Sequence, residues 1–552
     1  ALKKYRENEE EFGDSSFLIV TYEPNNELFT KEALSTLEEI EQKLSSIDGV
    51  DSVLSLLDAP IFFQPKVSLT KVSDNLKDLT TEGIDLELAK DEIINNPIYK
   101  DLIISADGSI TAMQVVLRGN DEYDLLVNKR YEILDTLSTK EPITKEVRLS
   151  LVKELQLINQ RISSLNDNES KFNSNLVQEI RNILGFYKNE ATLYLGGPAM
   201  ITSDMMDYIK SDLVVFGSAV ALVFVVMLYL FFGNIWFVIL PILNAFFTTF
   251  VTAGFLGFMD WKISVVSSNF IALLLILTIS LTVHVLVKIN ELKKESSDYK
   301  NSLIDSVNQM FLPCFFAAIT TAVAFLSLLL GDLKPVIEFG KMMAFGISIA
   351  FIFTFSFLPS AISLLKESQS RDYLSLHKIT NKILSIAKNN SLSIYLVFAS
   401  TFCILIFGTT KLIVENRFID YFDEETEIHQ GMLEIDKNLG GTATLDIIIR
   451  EPFEEISEDL IADDFFDDGL FDDDDSNASG YWWNVYSLAE LENIHDYLES
   501  LPEIGKVLSV SSGIKLARMI NDGKDLNDLE LALLRSVLPE DIRETLLYSY
   551  IN

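Results

Sequence analysis

Residues 213–232 read LVVFGSAVALVFVVMLYLFF and contain no charged side chain. An apolar stretch of about 20 residues is long enough for an α-helix to cross a bilayer. Five further stretches are similarly long and apolar: residues 235–259, 263–287, 311–330, 336–364 and 392–412. The sequence therefore predicts an integral membrane protein built around an α-helical membrane bundle.

The charge of the chain lies mostly outside these apolar stretches. The 552 residues carry a net charge of −37, although 48% of them are hydrophobic. Residues 415–552 alone contain 34 acidic and 9 basic side chains, so this region supplies most of the negative charge. A strongly acidic surface repels phosphate groups, which argues against nucleic acid and anionic lipid headgroups as partners.

Basic residues in the loops predict the orientation of the chain. The connections at 291–305 and 366–390 are richer in lysine and arginine than the short loops on the opposite side. By the positive-inside rule these two connections are cytoplasmic. Both large polar regions, 1–211 and 415–552, then lie outside. In a bacterium this predicts a multi-pass protein of the inner (plasma) membrane with periplasmic domains.

Two pairs of similar segments predict an internal duplication. FGDSSFLIVTYEP (12–24) aligns with LGGTATLDIIIREP (439–452), and LSSIDGVDSVLSL (44–56) aligns with LESLPEIGKVLSV (498–510). In each copy the two segments predict strands, with an amphipathic helix between them. We expect two α+β external domains of the βαβ, ferredoxin-like type. The alternative is a chance match between two unrelated α+β domains.

Each external region carries its own insertion. Residues 144–184 have helical apolar spacing and predict one or two long helices, which either pack structurally or contact a partner. The second region has an acidic insertion at 453–478, with twelve acidic residues and no base between 454 and 475. Carboxylates are the usual ligands of Ca²⁺. Because the EF-hand spacing is missing, a solvated loop is favoured and no metal site is predicted.

A glycine-rich turn precedes the first membrane helix. In ATLYLGGPAMITSDMMDYIKSDL (191–213) a predicted strand ends at Gly196, Gly197 and Pro198, and a helix follows. Glycine adopts backbone angles that other residues avoid, and proline suits the first turn of a helix. The lysine and hydroxyl of a phosphate-binding loop are absent. We interpret these three residues as a mechanical joint, or hinge.

The order of these parts resembles the resistance–nodulation–division (RND) superfamily, and especially its MMPL and sterol-sensing-domain, Patched-like branch. The resemblance rests on the duplicated external region, on GGPAMITSDMMDYIKSDL (196–213) and on LPCFFAAITTAVAFLSLLLGDLKPVIEFGKMMAFGISIAF (312–351). Such proteins place one helix before an external domain and five helices after it, and then repeat the set. By that comparison the chain is incomplete at both ends.

The resemblance implies a division of the chain into five parts. They are a first periplasmic porter-like domain (1–211), a five-helix membrane block (212–365), a cytoplasmic amphipathic linker (366–390), a helix opening the second repeat (391–414) and a second porter-like domain (415–552).

The resemblance also directs attention to the third apolar stretch. Relatives carry an Asp three or four residues before a His as part of a proton relay. Here those positions are Leu281 and Ser280, so the carboxylate is absent and His284 remains. The relay candidates are His284, Ser280, Thr282, Thr278, Thr320 and Thr321. Alternatively His284 is a neutral residue near the cytoplasmic end of its helix, and the Thr and Ser residues serve only helix packing.

The predicted function is RND-type export of a hydrophobic or lipid-like substrate, driven by an ion gradient. The expected partners are the lipid bilayer, the substrate, and a homo-oligomer or a periplasmic accessory protein. The alternative is a lipid- or sterol-sensing protein or regulatory subunit that does not transport; a permease of an ATP-driven exporter ranks third. No enzyme activity and no cofactor are predicted, because no nucleotide-binding motif, zinc spacing or Ser–His–Asp arrangement is present.

Overall fold

The computed structural model describes residues 17–66, 76–138, 144–259, 266–295, 299–364, 377–389, 391–412, 417–442, 445–450 and 482–537, with the single residues 261, 263, 264 and 550. The chain divides into two compact units. The sheet unit comprises residues 1–204 and 416–552, and the helical bundle comprises residues 205–415.

The sheet unit contains four described strands and the bundle contains none. The strands are β1 (Phe17–Pro24), β2 (Val50–Leu54), β3 (Thr111–Leu117) and β4 (Ala191–Gly196). The described helices are α1 (Lys31–Ser45), α2 (Leu86–Asn95), α3 (Asp121–Ser138), α4 (Lys145–Gly185), α5 (Pro198–Phe232), α6 (Trp236–Phe258), α7 (Phe270–Glu295), α8 (Tyr299–Leu326), α9 (Lys334–Leu364), α10 (His377–Asn389), α11 (Ser391–Thr409), α12 (Glu427–Asn438), α13 (Val485–Glu499), α14 (Val510–Ile520) and α15 (Asp528–Val537).

The four strands form one antiparallel sheet in the order β2-β3-β1-β4. The central strand β1 pairs with β3 on one side and β4 on the other, so that Val20 faces both Met113 and Leu195. Helix α1 connects β1 to β2, and α4 precedes β4. This is the split βαβ arrangement of ferredoxin-like sheets. The first polar region therefore has the sheet order that the sequence predicts.

The core of this unit follows from the periods of its elements. Alternate residues Leu18, Val20 and Tyr22 of β1 are buried on one face of the sheet. Helix α1 begins where the Thr30 hydroxyl accepts a hydrogen bond from the Ala33 amide. Its buried apolar residues share one face and pack on the sheet; they are Ala33, Leu34, Leu37, Ile40 and Leu44.

The predicted helical insertion is a single long helix, α4. Its C-terminal part contributes Leu176, Val177 and Ile180 to the core of the sheet unit. Its N-terminal part packs against α3 through a separate small apolar cluster that includes Ile133 and Ile158. The long helix is therefore anchored at one end and paired with α3 at the other.

Residues from the second polar region share the core of the first. Ile428 and Met432 on α12 are buried among the residues that line the sheet. Gly431 lies so close to β4 that a Cβ atom there would be 3.1 Å from the Leu195 carbonyl oxygen. The helix that opens the second region therefore packs directly on the edge strand of the first.

The strands predicted for the second region are not formed in its described residues. Residues 445–450 (LDIIIR) are rich in isoleucine, as strands are, but Leu445 and Ile447 remain 75% and 51% exposed and pair with no described strand. Residues 504–508 are irregular and lead into α14. A strand needs a neighbour to bond its backbone groups, which these segments lack. The duplication stays a prediction, and the acidic insertion at 453–478 lies outside the described residues.

Six of the described helices are long and apolar enough to cross a membrane: α5, α6, α7, α8 with its 3₁₀ extension to Leu330, α9 and α11. Helices α6 to α9 pack on one another around Ala245, Leu274, Val285 and Ala350. The side chains of α5 and α11 remain largely exposed, as expected for helices that face lipid. The predicted spans agree except at some ends. Helix α7 begins at Phe270 rather than 263, because Ser264 and Ser267 form a hydrogen-bonded turn before it.

Candidate functional site

Polar side chains form a ladder inside the bundle on α6. Asn244, Thr248 and Thr252 follow one another at intervals of four residues, and all three are fully buried. Four residues correspond to just over one helical turn, so the side chains lie on one face. The Thr248 hydroxyl donates to the Asn244 carbonyl at 2.9 Å, and Thr252 donates to the Thr248 carbonyl at 2.8 Å.

Helices α7 and α9 supply matching polar residues. Thr278 and Thr282 of α7 are buried, and their hydroxyls also donate to carbonyls four residues earlier, at 2.7 and 2.8 Å. The Asn244 amide nitrogen donates to Thr282 Oγ1 at 2.9 Å and to Thr354 Oγ1 of α9 at 3.0 Å. One side chain thus joins three helices. We call Asn244, Thr248, Thr252, Thr278, Thr282 and Thr354 the bundle cluster.

The surroundings of the bundle cluster are apolar and closely packed. Gly346 and Ala350 precede Thr354 at four-residue spacing on α9, and a Cβ atom on Gly346 would lie 3.5 Å from Thr252 Cγ2. Small residues let helices approach closely in membranes. No charged side chain is buried among the described residues of the bundle. The cluster is therefore neutral and shielded from water, which strengthens each of its hydrogen bonds.

One atom of the bundle cluster has no partner in the described part of the chain. Asn244 Oδ1 is buried and accepts no hydrogen bond. A buried polar atom without a partner costs about 1–3 kcal/mol. Its position is fixed, because both amide hydrogens of the same side chain are already donated to Thr282 and Thr354.

The structure separates the predicted relay residues into two groups. Thr278 and Thr282 belong to the bundle cluster, whereas Ser280 and His284 lie on an exposed face of the same helix. A step of two residues turns an α-helix by roughly 200°, which places Ser280 and His284 away from Thr282. The described geometry therefore does not bring His284 together with the buried hydroxyls, and its proton-relay role stays a prediction.

Thr320 and Thr321 also lie apart from the bundle cluster. Their hydroxyls donate to carbonyls of their own helix, Phe316 at 2.8 Å and Ala317 at 2.7 Å respectively. Such bonds satisfy a hydroxyl that faces an apolar medium. These two residues satisfy their hydroxyls locally on α8.

Sequence reasoning missed Asn244, Thr248, Thr252 and Thr354. An asparagine inside an apolar span, followed by threonines four and eight residues later, is the signal that could have found the first three. Thr354 gives no such signal, because hydroxyl residues are common throughout α9. Only the packing of α9 against α6 identifies it.

The predicted joint has a defined backbone geometry. Strand β4 ends at Gly196, and α5 begins at Pro198. Gly197 between them has φ +109°, and a Cβ atom there would lie 2.8 Å from the Phe17 carbonyl oxygen. Glycine is required at this position for both reasons. Its role as a hinge stays a prediction.

An ion-pair network holds the start of α5 in the sheet unit. Arg181 of α4 donates two hydrogen bonds to Asp204, at 2.8 and 2.7 Å, and a third to Glu427 of α12 at 3.0 Å. Arg181 and Asp204 are largely buried, with 20% and 10% of their side chains exposed. Bidentate arginine–carboxylate pairs are among the stronger ionic contacts.

A second group of polar residues, His495, Asp496 and Glu499, has metal-ligand spacing. The Lys515 ammonium lies 2.6 Å from Asp496 and 3.4 Å from Glu499, and the Lys506 ammonium lies 3.9 Å from Glu499, so both carboxylates already have cationic partners. His495 Nδ1 shares a hydrogen bond of 2.9 Å with the Ser509 hydroxyl, which caps α14. Burial and the nearby lysine lower the pKa of His495. This arrangement favours a neutral structural histidine over a metal ligand.

Comparison with known proteins identifies the region that contains the bundle cluster. Residues 157–376 match the model of the MMPL family. The match includes the C-terminal part of α4, strand β4 and helices α5 to α9, and it confirms the resemblance predicted from the sequence. A search of curated proteins found no match. The family match and the six apolar helices identify a multi-pass membrane protein in contact with the lipid bilayer.

Proposed function

We propose that this multi-pass membrane protein with an MMPL-type bundle exports a hydrophobic or lipid-like substrate and uses an ion gradient to do so. The loop charges favour a bacterial inner membrane with the sheet unit in the periplasm. A homo-oligomer or a periplasmic accessory protein would complete the export path. The acidic polar regions disfavour nucleic acid as a partner.

The observation that carries this proposal is the bundle cluster. Polar side chains are costly inside a membrane and commonly mark ion pathways there. Here they are buried on three helices of the MMPL-matching region and joined by the Asn244 amide. Threonine also serves helix packing in membranes, but packing alone does not explain a buried Asn244 Oδ1 that accepts no hydrogen bond from any described residue. Entry of an ion would compete for the same oxygens and change the contacts between α6, α7 and α9.

Helix α5 is the element through which such a change would act on the chain outside the bundle. Helix α5 starts at Pro198, directly after the edge strand of the sheet, and continues as a membrane span to Phe232. Its first turns are held by the Arg181–Asp204 pair. Rigid-body movement of helices around a central site is the common mode of secondary transporters.

The test uses the full-length protein in proteoliposomes and a fluorescent phosphatidylethanolamine as the probe. We expect Thr282→Val to lower its export at least about tenfold, because valine keeps the volume of threonine but loses the hydroxyl that meets Asn244. Thr409→Val is the matched control, since the Thr409 hydroxyl is exposed and bonds to Ile406 of its own helix. Equal export by wild type and Thr282→Val would overturn the role of the cluster.

A second candidate function is a lipid sensor that does not transport. It is favoured by the neutrality of the bundle interior, since the described buried residues of the bundle include no carboxylate, histidine, lysine or arginine that could carry a proton. A sensor would bind the fluorescent lipid without moving it across the bilayer. Saturable binding with no export, in wild type and in Thr282→Val alike, would favour this candidate.

A further inference from the structure

We propose that Asn244 Oδ1, held in place by the Thr282 and Thr354 hydroxyls, is the central ligand of a binding site for a monovalent alkali cation. This inference rests on the proposed transport function and names the ion that the bundle cluster would take. Hydroxyl and amide oxygens are hard ligands of the kind that alkali and alkaline-earth cations prefer. Water carried with the ion would complete its coordination.

Two hydrogen bonds fix the orientation of the Asn244 amide. Both hydrogens of the Asn244 amide are donated, to oxygens at 2.9 and 3.0 Å on two other helices. The side chain is fully buried, and Oδ1 accepts from no described residue. Asn244 Oδ1 is thus an acceptor that two neighbouring helices hold in place and that has no hydrogen-bond donor among the described residues.

The threonine hydroxyls of the bundle cluster have few hydrogens to offer Asn244 Oδ1. Thr248, Thr278 and Thr282 each donate their single hydroxyl hydrogen to a backbone carbonyl four residues earlier. None of these three hydrogens is left for Asn244 Oδ1. Their oxygens keep lone pairs, so these three residues offer acceptors and no spare donor. A positively charged ligand, or a water molecule, is what such a set requires.

The neutrality of the bundle cluster limits which ion it can bind. Asparagine and threonine do not titrate near neutral pH, so a proton cannot be stored on the bundle cluster. A divalent cation would need carboxylates to offset its desolvation, and the described bundle buries none. A monovalent cation has the smallest such cost. His284, Lys288 and Glu338, the nearest titratable groups in sequence to these faces, are exposed or only half-buried.

The experiment measures thermal unfolding of the full-length protein in detergent, in NaCl, KCl or N-methyl-D-glucamine chloride at equal ionic strength. For wild type we expect NaCl or KCl to raise the Tm by about 3 °C over N-methyl-D-glucamine. Which of the two salts acts at lower concentration shows the selectivity of the site. Equal Tm values in all three salts would overturn the proposal and leave a buried water as the occupant.

Matched variants locate the effect. Thr354→Val removes an oxygen that holds the Asn244 amide in place, and we expect the salt concentration at half effect to rise at least about tenfold. Thr354→Ser keeps the hydroxyl and should keep the response, which distinguishes loss of the hydroxyl from misfolding. Thr409→Val, with its exposed hydroxyl on α11, should behave as wild type. An unchanged salt response in Thr354→Val would overturn the proposal.

The two proposals fail separately. Export driven by a proton gradient, with no salt effect on the Tm, would overturn the cation site and leave the exporter standing. A salt effect that depends on Thr354, in a protein that moves no lipid, would overturn export and leave the site standing.

Discussion

Asn244 is the residue on which the organisation of the bundle depends most. Its amide offers two hydrogen-bond donors and an acceptor oxygen in an apolar interior. The two donors connect α6 to α7 and α9. Interhelical hydrogen bonds in membranes contribute roughly 0.6–2 kcal/mol each. Their larger effect is specificity, because only one rotation of α6 lets the amide reach both threonines.

His495 is the residue whose environment gives a pH dependence. Its pKa is lowered by burial first and by Lys515 second, whereas Glu499 and Asp496 act in the opposite direction and Lys506 adds to the lowering. In the unfolded chain the pKa is about 6.5. Since the folded state binds the proton less readily, its stabilising contribution is complete above this pH and is lost as the pH falls through the folded pKa.

We therefore predict that the segment from α13 to α14 opens more readily at pH 5.5 than at pH 7.5, values about 1 unit on either side of the unfolded pKa. Hydrogen exchange of residues 485–520 in the full-length protein measures this. His495→Asn removes the titrating ring and should reduce the pH effect. His429→Asn, on α12, is the control and should leave it. An identical pH effect in His495→Asn and wild type would contradict the assignment.

At the scale of elements, the contact between α8 and α9 is unusually close. A Cβ atom on Gly340 would lie 2.5 Å from the Phe325 carbonyl oxygen, so one of the two helices would have to move. The backbone cannot give way as a side-chain end can. Gly340 is therefore the point that fixes the separation of these two spans.

We predict that Gly340→Ala lowers the stability of the protein by about 1–3 kcal/mol, through overpacking of this contact. Gly254→Ala on α6 is the matched control, since a Cβ atom there meets no atom within 4 Å. The control should be neutral or stabilising by up to about 1 kcal/mol, because alanine favours helix. Thermal unfolding in detergent compares the two. Equal Tm values for both variants would show that α8 and α9 are not in this contact.

The pairing of Arg181 with Asp204 and Glu427 links three helices of the sheet unit. We predict that Arg181→Ala costs about 3–5 kcal/mol, because it leaves two carboxylates without their largely buried partner. Exchange of backbone hydrogens in α12 should accelerate. Arg161→Ala removes an arginine that pairs with Glu122 on the exposed surface, and it should cost no more than about 1 kcal/mol. If α12 is equally protected in both variants, the network does not hold it.

Some elements are predictable from sequence because the cause is local. The membrane spans follow from the length of apolar sequence that a bilayer requires, and β1 and α1 follow from their alternating and helical periods. The placement of α12 on β4 depends instead on a contact between segments far apart in the chain. Residues 445–450 have the pattern of a strand, but pairing is a tertiary property that the pattern cannot supply.

The candidate site is only partly predictable for a similar reason. Thr278 and Thr282 are recognisable as hydroxyls in an apolar span, but α7 is apolar on all sides over most of its length. Such a helix carries no periodic signal for the face that turns inward. The sequence therefore could not separate these two residues from Ser280 and His284, and it gave no reason to connect them with Thr354.

At the scale of the whole molecule, the chain combines an MMPL-type bundle with a ferredoxin-like sheet from the first polar region, on which α12 of the second polar region packs. The bundle contributes a neutral, buried polar cluster, and the sheet unit holds the start of α5 through Arg181 and the Gly197 turn. We propose that an ion gradient drives lipid export through this bundle.

The most direct test is export of fluorescent phosphatidylethanolamine by the full-length protein in proteoliposomes, with an imposed Na⁺, K⁺ or H⁺ gradient or with none. We predict that an alkali-cation gradient accelerates export at least about tenfold and that an ionophore which collapses that gradient abolishes the increase. Export at the same rate with and without every gradient, or binding of the lipid with no export at all, would contradict this prediction.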